Sequence, residues 1–239
     1  MNIAPHVHRL GNDIVAAYLV VTDQGVTVID AGLPGHWSDL LRELDELGLG
    51  LDDVRGVVLT HGDSHHLGFA ERLRRTASVP VYVHQADAER AKGGPKPSAS
   101  GGRMRLLPTA GFALYALRKR GWRTHPLTEV VEVSDGDVLD LPGSPVVVAM
   151  PGHSPGSIAV HVPTAGALFV GDALTTRHVL TGVEGPAPAP FTDDPESAHA
   201  SLGRLAGIDA TWILPGHGAP ARLAPAEVQA AVAARLSPR

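Results

Sequence analysis

The 239-residue chain has no cysteine, which excludes disulfides, thiolate metal ligands and cysteine nucleophiles. Aromatics are scarce, with 4 Phe, 3 Tyr and 3 Trp, so a core has to be built mostly from Val, Leu, Ile and Ala. No apolar run approaches the roughly 18 residues of a membrane span, and residues 1–6 lack the regions of a secretion signal. A cytoplasmic home with no membrane partner is the expectation. Positive charge is sparse too: the net charge is −5 and the longest basic run is Arg118-Lys119-Arg120, so the electrostatic footprint of a nucleic-acid binder is missing. A small-molecule substrate is the expected partner, with a homodimer as a further possibility.

The 44% hydrophobic and 19% charged residues describe a globular chain, and an α/β domain of this length buries roughly three quarters of its unfolded surface. Residues 1–239 are therefore read as a single domain. Short β-branched runs at 14–21, 26–29, 54–59, 130–133, 146–150, 158–162 and 168–170 predict strands. Between them, Trp37, Leu40, Leu41, Leu44 and Leu47 share one helical face, and helical patterns recur at 66–73, 195–205 and 225–236. The Gly/Pro/Ser/Lys-rich stretch 92–102 reads as a surface loop and 104–121 as helical. Together they predict a helical insertion over about 92–123. An eight-residue echo, Val26 to Leu33 against Ala167 to Leu174, suggests two similar halves.

The chemistry-bearing residues cluster in turns. Thr60-His61-Gly62-Asp63-Ser64-His65-His66 follows directly on the predicted strand ending at Leu59. Alternate residues of an extended segment project to one side, so His61, Asp63 and His65 can converge while His66 turns away as a helix begins. Three further turns, each just past an apolar run, present His153 (Pro151-Gly152-His153-Ser154-Pro155-Gly156-Ser157), Asp172 (Phe169-Val170-Gly171-Asp172) and His217 (Leu214-Pro215-Gly216-His217-Gly218). Pro155-Gly156 suits a type II turn, which predicts a positive φ at Gly156, and Ser157 is placed to hydrogen-bond within that turn. The bland alternative, a fortuitous polar loop, is the better account of the remaining histidines, such as His84 and His199, but fits poorly with four ordered motifs.

Those motifs, with Asp30-Ala31-Gly32 before them, resemble the metallo-β-lactamase superfamily over nearly the whole chain. The resemblance implies a four-layer αββα sandwich in the α/β class, with the site at one edge of the sheets. It also implies two divalent metal ions: His61, Asp63 and His153 on the first, His65, His66 and His217 on the second, and Asp172 bridging them, with Asp30 supporting the ligands from behind. The family pattern is His-x-His-x-Asp-His; here Asp63 stands at the second ligand position and His65 at the carboxylate position, one pair exchanged. Imidazole and carboxylate donors suit zinc, the leading expectation, or iron or manganese.

Two metals lower the pKa of a bridging water and polarise a carbonyl, so the expected activity is attack of a metal-bridged hydroxide on an ester, thioester, lactone or amide. Asp63, His65 and Asp172 are the expected catalytic residues, with Asp63 taking over the proton handling of the displaced carboxylate. An iron-dependent oxidoreductase or dioxygenase, suggested by the acid at position 63, and a non-catalytic metal-binding domain stand as alternatives. Phe112 and Tyr115 from the insertion, and Arg177 and His178 from the loop after Asp172, are the candidate substrate-pocket residues. The basic flank, with Arg103, Arg105, Arg118, Lys119, Arg120 and Arg123, reads more simply as a solvated face than as a membrane-surface helix.

Overall fold

The β-branched runs pair into two sheets in a computed structural model of the chain, which describes residues 1–97, 102, 104–227, 230 and 232. The first sheet holds β1 (Asn2–Ala4), β2 (Val7–Gly11), β3 (Ala16–Thr22), β4 (Gly25–Ile29), β5 (Val54–Val58), β6 (Val81–His84) and β7 (Val131–Val133), neighbours in chain order. β1 to β4 form an antiparallel meander and β4 to β7 run parallel. Parallel pairing needs crossovers, and helices supply them: α1 (Trp37–Glu46) joins β4 to β5, α2 (Ser64–Leu67) and α3 (Ala70–Ala77) join β5 to β6, and α4 (Ala88–Ala91) and α5 (Leu106–Arg118) lie between β6 and β7. The second sheet contains β8 (Val146–Ala149), β9 (Ile158–Val162) and β10 (Ala167–Gly171). After a two-stranded ribbon, β11 (Thr175–Arg177) and β12 (Glu184–Ala187), and then α6 (Pro195–Ser201), this sheet is completed by β13 (Trp212–Pro215) and β14 (Ala221–Arg222). Its order is β14-β13-β10-β9-β8.

Strand alternation builds the layers. In β3, Ala16, Tyr18 and Val20 face Ile158, Val160, Phe169 and Leu214 of the other sheet, while Ala17 and Leu19 face the helices on the outside with Trp37, Leu40, Leu44 and Leu73. Both faces are covered, which is why β4 and β10 are buried at every position and read as unbroken apolar runs. A third cluster packs Leu168, Val170 and Ile213 under Leu202 and Leu205, completing the αββα sandwich.

The predicted helix 66–73 is two helices, broken after Leu67. The predicted helix 195–205 ends at Ser201 and tightens into a 3-10 segment from Leu202 to Gly207. The predicted loop 92–102 and helix 225–236 lie partly outside the described residues.

Candidate metal centre

Five of the seven candidate ligands sit on turns at the ends of buried strands, and His65 and His66 lie in α2, just after the first of those turns. β5 runs into Thr60 and His61, and β9, through the Ile158 N–H that donates to the Thr60 carbonyl at 2.8 Å, pins the 150–157 turn beside it. β10 ends at Asp172, and the Gly216 N–H donates to the Gly171 carbonyl at 3.0 Å, which fixes the His217 turn next to the same strand end. Rigid strands deliver the side chains and short turns aim them.

Around Asp172 the donors converge. Its Oδ2 lies 3.2 Å from His217 Nε2, 3.3 Å from His65 Nε2 and 3.6 Å from His153 Nε2, and its Oδ1 lies 3.3 Å from His66 Nε2. Asp63 Oδ2 lies 3.6 Å from His153 Nε2 and 3.9 Å from His61 Nε2. The donor atoms form two groups, His61 with Asp63 and His153, and His61 with His65, His66 and Asp172, each within 4.8 Å. His61 thus borders both.

Four of the five imidazoles are locked by their outer nitrogen. His66 Nδ1–H donates to Asp30 Oδ2 at 2.8 Å. Thr60 Oγ1 donates to Asp30 and accepts from His61 Nδ1–H at 3.1 Å. Thr192 Oγ1 donates to the Ala189 carbonyl and accepts from His153 Nδ1–H at 3.3 Å, and His217 Nδ1–H donates to the Ile14 carbonyl. Every one of these rings therefore turns Nε2 inward, the tautomer and aim that metal-binding histidines need. His65 is the looser fifth: its side chain is 23% exposed and stacks on His217 at 5.1 Å.

His65 and His217 reach Asp172 Oδ2, but the other inward atoms are left without a hydrogen bond. His61 Nε2, His66 Nε2, His153 Nε2 and Asp172 Oδ1 are buried without a hydrogen-bond partner, which costs roughly 1–3 kcal/mol each if left unmet. A tetrahedral ion with Zn–N near 2.0–2.1 Å holds its donors roughly 3.3–3.5 Å apart, within the 3.2 to 3.9 Å range seen here. The donor set fits divalent cations.

Protonation tells the same story. Burial, then the neighbouring His66 and His153, hold His61 well below its usual value, and burial brings His65 down to about 4. Burial also opposes charge on His66, but Asp30 and Asp172 prevail and raise it to about 10. For Asp172, burial is outweighed by His217 and His66, which hold it far below the carboxylate range. In the absence of a cation, Asp30 and Asp172 favour a proton on His66, which lies between them.

Asp63 is built differently. Its Oδ1 accepts from Arg90 Nε at 2.6 Å and Lys96 Nζ at 2.7 Å, and Arg90 is clamped in turn by Asp193 at 2.5 Å. Burial disfavours its charge, but His153, His61 and Arg90 hold its carboxyl far below the usual range. A carboxylate so stabilised is a poor proton acceptor, which argues against the proton-handling role expected for it. A second buried carboxylate, Asp87, ties the turns together by accepting from Gly62 N–H (2.7 Å), Ser154 Oγ (2.7 Å) and Gly156 N–H (2.8 Å). Sequence reasoning missed Asp87, Arg90, Lys96 and Asp193, because no local spacing marks them. Thr60, adjacent to His61, carried the one available signal.

The expectation of a positive φ at Gly156 is corrected, since that residue is not among the positive-φ glycines. It is glycine because an added Cβ would stand 2.5 Å from the Asp87 nitrogen. Ser157 Oγ does bond within its turn, accepting from Ser154 N–H at 2.9 Å.

A cavity of about 530 Å³ opens over the cluster, floored by Asp63, His65, His153, Asp172 and His217 and walled by Leu33, Phe112, Ala116, Val179, Leu180 and Phe191. Phe112 faces it. Tyr115 points elsewhere, its hydroxyl 2.8 Å from His36 Nε2, and neither Arg177 nor His178 lines it.

The family model of the metallo-β-lactamase superfamily matches residues 10–217. The chain belongs to that superfamily. It is 30% identical over 235 residues to the probable metallo-hydrolase YflN of Bacillus subtilis, covering 91% of this chain and 85% of that one. It is 31% identical to a hydroxyacylglutathione hydrolase of Ruegeria pomeroyi, covering 84% of this chain and 61% of that one. Among solved structures, the metallo-β-lactamase family protein TTHA1429 of Thermus thermophilus matches with a TM-score of 0.67 at 26% identity, over 97% of this chain and 81% of that one. TTHA1623 in a di-iron-bound form matches with a TM-score of 0.62 at 27% identity, over 93% and 96%. Membership and the His/Asp cluster together support a metal-dependent hydrolase that uses divalent ions and acts on a small molecule.

Proposed function

We propose that this chain hydrolyses a carbonyl ester, thioester or lactone bearing an apolar acyl group, using a pair of divalent ions, zinc foremost. His61, Asp63 and His153 would hold one ion and His65, His66 and His217 the other, with Asp172 between them. The carrying observation is the set of inward, unpartnered nitrogens on His61, His66 and His153 facing the unpartnered Asp172 Oδ1. When bound, such a pair supplies an activated water and Lewis acidity toward a carbonyl oxygen.

The chain's own residues do the rest. Asp30, through Thr60 and His66, sets ring orientation. Arg90 and Lys96 keep Asp63 ionised and directed by one oxygen, which suits a ligand rather than a base. Leu33, Phe112, Val179, Leu180 and Phe191 exclude water from one side of the cavity and offer an apolar wall. The hydroxyacylglutathione hydrolase relative supports acyl chemistry, while the di-iron neighbour keeps iron as the competing metal.

The test is elemental analysis of purified protein, followed by a panel of activated esters, thioesters and lactones with and without chelator. Stoichiometric zinc with chelator-sensitive turnover of acyl substrates is expected. Tightly bound metal with no turnover across the panel favours a non-catalytic domain. Iron accompanied by oxygen consumption favours the oxidoreductase alternative.

A further inference from the structure

α5 is apolar on both sides. Toward the body, Phe112 and Ala116 wall the metal cavity, and the segment is tied down by the Arg105 N–H and Thr109 Oγ1, which both donate to the Leu180 carbonyl. Toward solvent it presents Leu106 and Leu107, 84% and 82% exposed, and Leu114 and Leu117, with Met104 before it and Trp122 after it, all more than half exposed. Its first charged residue is Arg118. Isolated surface leucines need no explanation, but a contiguous apolar face on an otherwise buried type of helix does.

Along the segment itself charge has one sign. No Asp or Glu occurs from Lys92 to Thr128, although the chain is acidic overall at −5. Lys92, Lys96 and Lys119 are paired with Glu89, Asp63 and Asp39. Arg105, Arg118, Arg120 and Arg123 have no carboxylate partner among the described residues. A cleft of about 620 Å³ opens beside the carboxyl end of α5, lined by Arg72, Arg118, Lys119, Arg120, Arg123 and His125. Its one acid, Glu71, is already paired with Arg74 at 2.9 Å.

The geometry points to an anionic lipid surface as the occupant of this face, with the α5 leucines and Trp122 at the acyl boundary and the cationic cleft on the headgroups. Apolar side chains flanked by cations are what interfacial helices present, and at 13 residues α5 lies on a bilayer rather than crossing it. A second copy of the chain fits worse. A two-fold contact across this face would bury Arg118, Arg120 and Arg123 with no acid on the segment of either copy to answer them. This goes beyond the solvated face that the basic residues alone suggested, because the leucines beside them are exposed as well.

The test is co-sedimentation of the metal-loaded full chain with vesicles of phosphatidylcholine alone or with roughly a third phosphatidylglycerol. Binding to the anionic vesicles, weakened by high salt, is expected. L106E/L107E and R118E/R120E should each lower it by about tenfold or more, with circular dichroism and metal content unchanged, and free glycerol phosphate should compete no better than sodium chloride of equal ionic strength. Failure to bind anionic vesicles at low salt overturns the proposal. So does a concentration-dependent dimer dissolved by L106E/L107E, which would make the occupant a second copy. Displacement by millimolar glycerol phosphate with L106E/L107E still bound overturns it in favour of a soluble-anion site. None of these outcomes depends on turnover, so the hydrolase reading stands or falls separately.

Discussion

Two strand ends of like sequence meet at the centre of this molecule, and they do different work. β4 ends in Ile29-Asp30-Ala31 and β10 in Val170-Gly171-Asp172, and each pairs in parallel with a strand leading to a histidine turn, β5 to His61 and β13 to His217. The chain takes the same left-handed step at equivalent positions, φ 57° at Asp30 and 49° at Gly171. In the first half the carboxylate sits on that step and turns back to hold Thr60 and His66. In the second half the step is glycine, because a Cβ there would stand 2.2 Å from Thr60 Oγ1, and the carboxylate one residue later faces the donor cluster. A one-residue offset separates a carboxylate that holds Thr60 and His66 from behind from one placed among the candidate donors.

Exchanging roles at the two ends should expose this division. Asp172→Asn keeps the shape but removes the charge that lies 3.2 to 3.3 Å from Nε2 of His65, His66 and His217, and it should lower activity by about a thousandfold or more, with loss of metal measured by elemental analysis. If Asp172→Asn retains full metal and near-native kcat, the second strand end is not the centre of the site. Asp30→Asn should cost about 10- to 100-fold in metal affinity while leaving the ligand set complete. A loss as large as that of Asp172→Asn would show that the two carboxylates are equivalent after all.

Proton linkage gives a subtler difference. His66 is held at about 10 without a cation, so below that pH a metal must expel a proton, and apparent affinity should rise with pH by up to about tenfold per unit. Competition against a chromophoric chelator over several pH values measures this, and in Asp30→Asn the slope should shrink over the alkaline part of the range. A flat profile in the native protein would mean that His66 carries no proton to displace.

The smallest effect concerns the turn after the first strand end, which has no titrating counterpart in the second. His36 Nδ1 accepts from Leu33 N–H at 3.0 Å, and burial, reinforced by Lys119, lowers its pKa to about 4. An unfolded histidine titrates near 6.5, so the unfolded chain takes up a proton first. The stability of the metal-free protein should be intact above about 6.5 and decline as pH falls toward 4. Urea midpoints across that window should fall less steeply in His36→Gln, with His61 and His65, also held low, keeping the rest of the slope; an unchanged slope would assign the acid sensitivity to other groups.

Much of this was legible in the chain itself. β-branched runs marked β3, β4, β5, β7, β8, β9 and β10, most plainly β4 and β10, which are buried on both faces and have no polar alternation to blur them. β2, which mixes His8 and Arg9 into its pattern, and β13, only four residues long, gave weaker signals. The histidine and aspartate turns could be found because a strand end followed by Gly and His is a local feature. Phe112 on the cavity wall followed from the insertion's apolar content, whereas Tyr115 on the same helix turns to His36, and only the docking of α5 decides which side faces in.

What the amino-acid order determined alone was therefore local: which segments extend, which turns carry donors, and that no sulfur takes part. Tertiary structure decided everything that needs partners far apart in sequence, such as Asp87 bridging the Gly62 and Ser154 turns and the Arg90–Asp63 and Arg90–Asp193 pairs. It also decided that the outer leucines of α5 stay uncovered. The reason is physical: periodicity and propensity act over a few residues, while a buried charge is stabilised only by whatever groups the packed fold brings within about 3 Å of it.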